Sequence, residues 1–305
     1  MKKILCVLAA LMMLLGCAAA EESAATFAAP AGAPAMVLAS LMAEDGGDHF
    51  QLLAADTIAT AFAADSGFDF VIAPVNAGAK LFKAGKSTYR LAAVVTWGNL
   101  VFASQKENFT LQDLNGGKLT LFGENTINAS VVLYALEKAG IVPAETEYLA
   151  GAQDTQKLLG DDPEAIVVTA EPALTGAKMQ NDKITAYSVQ DLLKDAAGME
   201  GYAQAGLFIR AETAADRPAE AAAWLEKIRA SADLAESDPA AMAAAAEKAG
   251  IMPKAKVAEL AIPGCSIRFV PAAEAREALE KTAQIDLTQF GGELPADDFY
   301  YAAEQ

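Results

Sequence analysis

Gly67-Phe-Asp-Phe-Val-Ile-Ala-Pro-Val-Asn-Ala-Gly78, with its continuation Tyr89-Arg-Leu-Ala-Ala-Val-Val-Thr-Trp-Gly-Asn-Leu-Val-Phe-Ala-Ser104, decides the fold. Phe68 to Ala73 is a short apolar run, rich in β-branched and aromatic residues and bounded by Gly67 and Pro74. Such a run reads as a strand buried on both faces, as in a parallel sheet. It leads through Asn76 into a short helical segment over 77–84. A second apolar run, Leu91 to Val95, follows and ends in Thr96-Trp97-Gly98-Asn99. Two parallel strands that finish in polar or glycine-rich loops build the crevice in which open α/β sheets hold ligands. That crevice is expected to hold a small molecule, with the rest of the chain closing over it.

Upstream, Thr26 to Ala29 reads as a strand, followed by Pro30-Ala-Gly-Ala-Pro34 and an amphipathic helix to about Ala43. Pro34 suits a first helical turn, where its missing N–H would have no partner anyway. Phe50 to Ala54 is a strand and Thr57 to Asp65 a helix, so the order is βαβα and the sheet mostly parallel. Downstream, Leu100 to Ser104 is a strand that leads to a second α/β unit. That unit has strands over 118–122, 146–149 and 164–169, and an edge strand over 184–187. Its helices begin near Asn125, at Ala152 and at Glu171-Pro172. Ala205 to Arg210 carries the chain back to the first unit. Asp216 is expected to cap a helix with Pro218 in its first turn and Ala221, Trp224, Leu225, Ile228 and Ala232 on one face. Further helices run from Asp238-Pro239 to Gly250 and from Pro271 to Thr282, before a loop-like tail from Gly291 to Tyr301. Two crossings, near 100–108 and 203–212, imply a hinge of two strands. The expected division is lobe 1 over 26–103 and 209–305, and lobe 2 over 104–208.

The chain has 305 residues, 53% of them hydrophobic, which suffices for one large or two medium domains. Its net charge is -17 and it has no Lys/Arg-rich run, which argues against nucleic-acid binding. Met1 to Gly16 has the basic start (Lys2, Lys3) and apolar run of an export signal, too short to span a bilayer. Leu14-Leu-Gly-Cys17 resembles the bacterial lipobox, in which the cysteine is acylated after cleavage; residues 17–25 then form a lipidated tether. The alternative is cleavage after Ala18-Ala-Ala20, which gives a soluble secreted protein. Cys6 leaves with the leader. With Cys17 acylated no internal disulfide can form, and Cys265 is expected to be a buried, small apolar residue.

Taken together, three elements behind the lipobox resemble the extracytoplasmic solute-binding proteins of bacterial ABC importers. They are Phe68-Asp-Phe-Val-Ile-Ala-Pro-Val-Asn76, Leu114-Asn-Gly-Gly-Lys118 and Gly291-Gly-Glu-Leu-Pro-Ala-Asp-Asp-Phe-Tyr300. The nitrate/sulfonate/taurine and thiamine-pyrimidine-precursor branch is the one resembled, over about Thr26 to Tyr301. The resemblance implies a type II periplasmic-binding-protein fold: two Rossmann-like lobes joined by two crossover strands, with solute trapped between them. It also implies a monomer that docks on a membrane permease driven by a cytoplasmic ATPase, outside the cytoplasm and held to the membrane through Cys17. No cofactor or metal is implied.

In such a cleft, contacts come from strand-to-helix loops of both lobes. Lobe 1 offers Ala33, Pro34, Asn76, Thr96 and Trp97; lobe 2 offers Asn125, Thr126, Asn128, Ala129 and Glu171, with Tyr202 near the return crossing. The amide of Asn76 either serves a ligand or stabilises its own turn. Trp97 either stacks on a ligand or packs in the hinge. Asn125, Thr126 and Asn128 can cap a helix, and the same N-terminus can bind a polar group. Glu171 either pairs with a ligand amine or stabilises a helix start. His49, the one histidine in the chain, lies in a polar loop with Asp48. No Cys/His cluster has metal-ligand spacing, no Ser-His-Asp set is possible without His49 in the cleft, and no phosphate loop or dinucleotide fingerprint is present. The reading is therefore a binding protein rather than an enzyme. Its alternatives are a thiamine-pyrimidine-synthase-like enzyme using His49 and a sensor or interaction lipoprotein of the same fold.

Overall fold

The structure, a computed structural model, describes residues 25–302. The export signal over 1–16, Cys6, Cys17 and the tether as far as residue 24 lie outside the described residues.

The chain opens with β1 (Phe27–Pro30), a short turn of helix α1 (Ala33–Met36), α2 (Ala39–Asp45), β2 (Phe50–Leu53), β3 (Phe70–Pro74), α3 (Val75–Lys83) and β4 (Arg90–Thr96). β1 is paired in parallel with both β2 and β3. The register aligns Phe27 with Phe50 on one side and Phe70 on the other. Their rings stack at 4.6 and 5.2 Å, and Trp224 meets Phe27 edge-on at 5.0 Å. Offset and edge-on aromatic pairs add to simple burial, so this ladder pins the register of three strands at once.

The chain then crosses to a second sheet: β5 (Leu100–Ser104), β6 (Lys118–Phe122), α4 (Ile127–Lys138), β7 (Glu145–Leu149), α5 (Ala152–Asp161), β8 (Ile166–Ala170), α6 (Ala173–Lys178), β9 (Thr185–Ser188) and α7 (Val189–Ala197). It returns through β10 (Ala205–Ile209), α8 (Ala211–Asp216), α9 (Pro218–Ser237), α10 (Pro239–Lys248), α11 (Ala255–Ala261), β11 (Ile267–Pro271) and α12 (Ala272–Ile285). Among the described residues the sheets are six-stranded, in the order β11-β4-β10-β3-β1-β2, and five-stranded, in the order β7-β6-β8-β5-β9. The chain thus forms two α/β lobes. A hydrophobic cluster that includes Val94, Trp97, Leu100 and Tyr202 joins them at the crossings. A second cluster, with Met36, Ala243, Ile262 and Cys265, lies within lobe 1.

Several expectations need correction. β3 and β4 run the same way, as expected, but β10 lies between them, antiparallel to both, and β11 is antiparallel to β4, so the first sheet is mixed rather than mostly parallel. β5 belongs to the second sheet and β10 to the first, so a division at 103/104 and 208/209 assigns Leu100–Ala103 and Ala205–Phe208 to the wrong sheet. The 57–65 segment is only a 3-10 turn over Ile58–Phe62. Thr57 and Thr60 hydroxyls bond back to Ala54 and Thr57 carbonyls at 3.1 and 2.8 Å, the local competition that shortens a helix. The helix over 34–43 is split at Val37 and Leu38 into α1 and α2. Asp216 ends α8 and caps nothing; α9 starts at Pro218 after Arg217. Asp238 does cap α10, accepting from the Ala241 N–H at 3.0 Å.

Candidate functional site

The hydrogen-bond register fixes which strand ends face which. Ala205 is opposite Pro74 on one side and Thr96 on the other, so β3 and β4 end at the same edge of the first sheet. β1, parallel to β3, ends there too, and α1 packs against β3 and β4. In the second sheet Leu100, the first residue after the crossing, is opposite Ala170, the last of β8. β6 is parallel to β8, so both end towards the crossing. The starts of α1 and α3 and the start of α4 therefore flank the junction of the lobes, the arrangement that makes a crevice in open α/β sheets.

The two crossings, Trp97–Asn99 and Met199–Gln204, lie side by side. Gln204 N donates to Thr96 O at 3.0 Å and Tyr202 N to Trp97 O at 3.3 Å. Gly98 (φ +99°) and Gly201 (φ +138°) hold left-handed backbone here, and a Cβ on Gly201 would stand 2.7 Å from Trp97 O. Side chains add a relay across the junction. Thr96 Oγ1 donates to Gln204 Oε1 at 3.4 Å, Gln204 Nε2 to Asn99 Oδ1 at 2.8 Å and Asn99 Nδ2 to Glu171 O at 2.7 Å. The Glu171 N–H returns a bond to Asn99 O at 3.0 Å. Thr96, fully buried, also accepts from the Ala205 N–H at 3.1 Å.

Trp97 is buried in the hinge rather than open to the crevice. Its Nε1 donates to Arg268 O at 3.0 Å, and the Arg268 guanidinium lies 4.7 Å above the ring. Tyr202 is fully buried, and its hydroxyl reaches Asn128 Oδ1 at 2.9 Å, tying the return crossing to α4. Burial pushes its phenol well above the ordinary range, so it remains a neutral donor.

At the start of α4, Thr126 is the N-cap: Oγ1 accepts from Ala129 N at 3.3 Å and donates to Gly123 O at 2.6 Å. Asn125 is exposed at φ +58°, and Ala129 is buried. One turn on, Ser130 Oγ donates to Asp286 Oδ2 at 2.8 Å, a bridge from lobe 2 to lobe 1. Burial opposes ionisation of Asp286, but hydrogen bonds from Thr288, Ser130 and Gln289 outweigh it and hold the carboxyl below its usual range. In lobe 1, Ala33 is buried and Pro34 half-buried at the start of α1, after Gly32 at φ +101°. Asn76 stands in the first turn of α3 with a buried Oδ1 that has no hydrogen-bond partner; its neighbour Val75 donates to Gln204 O at 3.0 Å.

Glu171 follows β8 and precedes α6, its Oε2 accepting from the first-turn Thr175 N–H at 3.1 Å. Burial raises the carboxyl above its usual range, while the Thr175 bonds and Lys178 pull it partly back. The crossings thus bring Thr96, Trp97, Tyr202, Asn128 and Glu171 into contact with one network, whereas Ala33, Pro34 and Asn125 stand outside it. Sequence reasoning missed Asn99 and Gln204, the relay's centre. Reading the crossings a few residues late left both on the flanks of assumed strands.

Elsewhere, His49 is half-buried, its Nδ1 2.9 Å from Asp45 Oδ2, on the turn after α2 and away from the crossings. Arg210 is bound to Tyr89 and Ser66, and Arg217 to Asp69 and Glu220. A cavity of about 340 Å³ lies wholly within lobe 1, between α3 and the tail, with Phe82, Phe290, Leu294 and Phe299 in its wall. Lys83 closes its side, bonded to Gly291 O at 2.6 Å and Glu293 at 3.1 Å. Among the described residues no helix is long and apolar enough to cross a membrane.

No family model matches the chain, and no curated protein matches it. Solved structures do. An ABC transporter protein from Parabacteroides distasonis is 19% identical, with a TM-score of 0.79, over 93% of this chain and 100% of that one. The periplasmic aliphatic sulphonate binding protein SsuA from Escherichia coli is 17% identical, with a TM-score of 0.70, over 92% of each. The alkanesulfonate-binding protein SsuA from Xanthomonas axonopodis pv. citri, bound to MOPS, is 16% identical, with a TM-score of 0.63, over 92% and 96%. The chain has the two-lobed, type II periplasmic-binding-protein fold of these proteins.

Proposed function

We propose that this protein is the extracytoplasmic solute receptor of an ABC importer, not an enzyme, and that it works as a monomer. It is anchored through a lipidated Cys17, closes its lobes on a small organic solute and presents the closed form to a permease coupled to a cytoplasmic ATPase. One observation carries the reading: strands β3, β4, β6 and β8 all end at the junction of two lobes between which the chain, among the described residues, passes in two clipped crossings. A ligand that touches both lobes shifts such a molecule towards its closed form. The fold shared with sulfonate-binding proteins supports the same reading.

The solute would meet Ala33, Pro34 and Asn76 from lobe 1 and Asn125, Thr126, Asn128 and Ala129 from lobe 2. Thr96, Trp97 and Tyr202 would shape the floor, and Glu171 would support it from behind. The side chains offered are neutral amides and hydroxyls, with the unpaired Asn76 oxygen ready to accept from the solute. Candidate solutes are sulfonates and pyrimidine or vitamin precursors. A thermal-shift panel of sulfonates, pyrimidines, flavins and amino acids tests the reading, since solute at a hundredfold over Kd adds about 2.7 kcal/mol. One chemical class should raise Tm; no response in any class would refute the proposal.

A further inference from the structure

We propose that Glu171 and Gly264 form a pH-sensitive latch between the lobes: the Glu171 carboxyl seats against the Gly264 backbone in its neutral form, and its ionisation releases the contact. Glu171 belongs to lobe 2 and Gly264 to the 3-10 turn Ile262–Cys265 of lobe 1, two α/β units with separate sheets. The seat is close. A Cβ on Gly264 would stand 2.9 Å from Glu171 Cγ and 3.4 Å from Oε1, so an added methyl would push the Glu171 side chain from its seat. Beside it, α11 of lobe 1 packs on α6 of lobe 2, so the latch sits at the edge of a helix-on-helix contact between lobes.

What surrounds the carboxyl decides its charge. Glu171 is only 9% exposed. From its own helix it receives the Thr175 N–H, with Lys178 acting from a distance. From lobe 1 it faces the Cys265 thiol, itself buried and held far above its usual range first of all by that burial. On α11, Lys256 and Glu259 are paired with one another at 3.3 Å. Among the described residues no cation forms a salt bridge with the Glu171 carboxyl. A buried carboxylate with no cation is costly, and protonation is the ordinary escape. If the lobes part here, water reaches the carboxyl and its proton affinity falls back. The latched form therefore holds the proton more tightly. Acid favours it, and raising the pH through the elevated titration point of Glu171 opens it, by about tenfold in the equilibrium for each unit separating the two forms.

The test is small-angle X-ray scattering of the solute-free protein from acid to alkaline pH, across the elevated titration point of Glu171, with circular dichroism to confirm the fold. The wild type should be compact in acid and expand as the pH rises. Glu171→Gln keeps an acceptor for Thr175 but cannot ionise, and should stay compact throughout. Gly264→Ala should be expanded at every pH, because the new methyl displaces the carboxyl. A wild-type radius that ignores pH, a Glu171→Gln profile matching the wild type, or a Gly264→Ala variant as compact and responsive as the wild type would each overturn the latch. The readout uses no solute, so it stands or falls separately from the transport reading.

Discussion

Gly98 lies against the ring of Tyr202: a Cβ at residue 98 would stand 2.6 Å from the tyrosine Cε1, at a φ of +99°. Backbone strain and overlap therefore act together at one position of the outgoing crossing. Gly98→Ala should destabilise the fold by about 2–6 kcal/mol, strain and overpacking each contributing about 1–3. Chemical denaturation checks this; a midpoint unchanged from wild type would show that the crossing can give way.

Asn99 joins Gln204 to the Glu171 carbonyl. Asn99→Ala should cost about 1–3 kcal/mol, because it leaves buried polar partners without their bonds. It should also weaken any solute that raises Tm in the wild type, since both crossings lose their shared clip. Isothermal titration against that solute provides the check.

Tyr202→Phe removes only the hydroxyl that reaches Asn128. The expected loss is about 0.5–1.5 kcal/mol, the net worth of one ordinary hydrogen bond. Hydrogen exchange should show faster opening at the start of α4 and little change in lobe 1.

Asp113 is held from its ordinary value of 3.8 down to about 2, first by the Lys106 side chain and then by the Thr110 N–H. A depressed carboxyl stabilises the fold above its unfolded titration point and loses that effect as the pH falls through its folded one. Asp113→Asn should therefore lower Tm at neutral pH, and the gap should close between 3.8 and about 2. A gap of constant size across that range would contradict the assignment.

Much of the fold was legible because periodicity reports burial. The apolar runs at Phe70–Pro74, Arg90–Thr96 and Lys118–Phe122 are strands in the structure, and the tail from Gly291 is largely loop. Position within a sheet was not legible: nothing in Ala205–Ile209 says that it slots between β3 and β4 rather than lying at an edge, because that depends on long-range pairing. α7 had a readable signal, Ser188 followed by Asp191, with the Ser188 Oγ accepting from Asp191 N at 3.1 Å. At the site, residue types at strand ends were readable, but not which way each head points. Trp97 turns to Arg268, and Glu171 lies against Gly264, because of neighbours about 90 or more positions away, whereas the bond from Glu171 to Thr175 is local and matches the helix-start role the sequence offered.

The strand that fills the middle of the first sheet is made late. β1 to β4 leave the ribosome with a gap between β3 and β4 that stays unfilled until residues 205–209 appear, after all of lobe 2 has been synthesised. A nascent chain halted after Ala197 should accordingly protect amides in the 100–197 region and leave 27–96 open to exchange. Although lobe 1 begins first along the chain, its sheet can be completed only after lobe 2 has been made, and until then the half-built sheet has two unpaired strand edges.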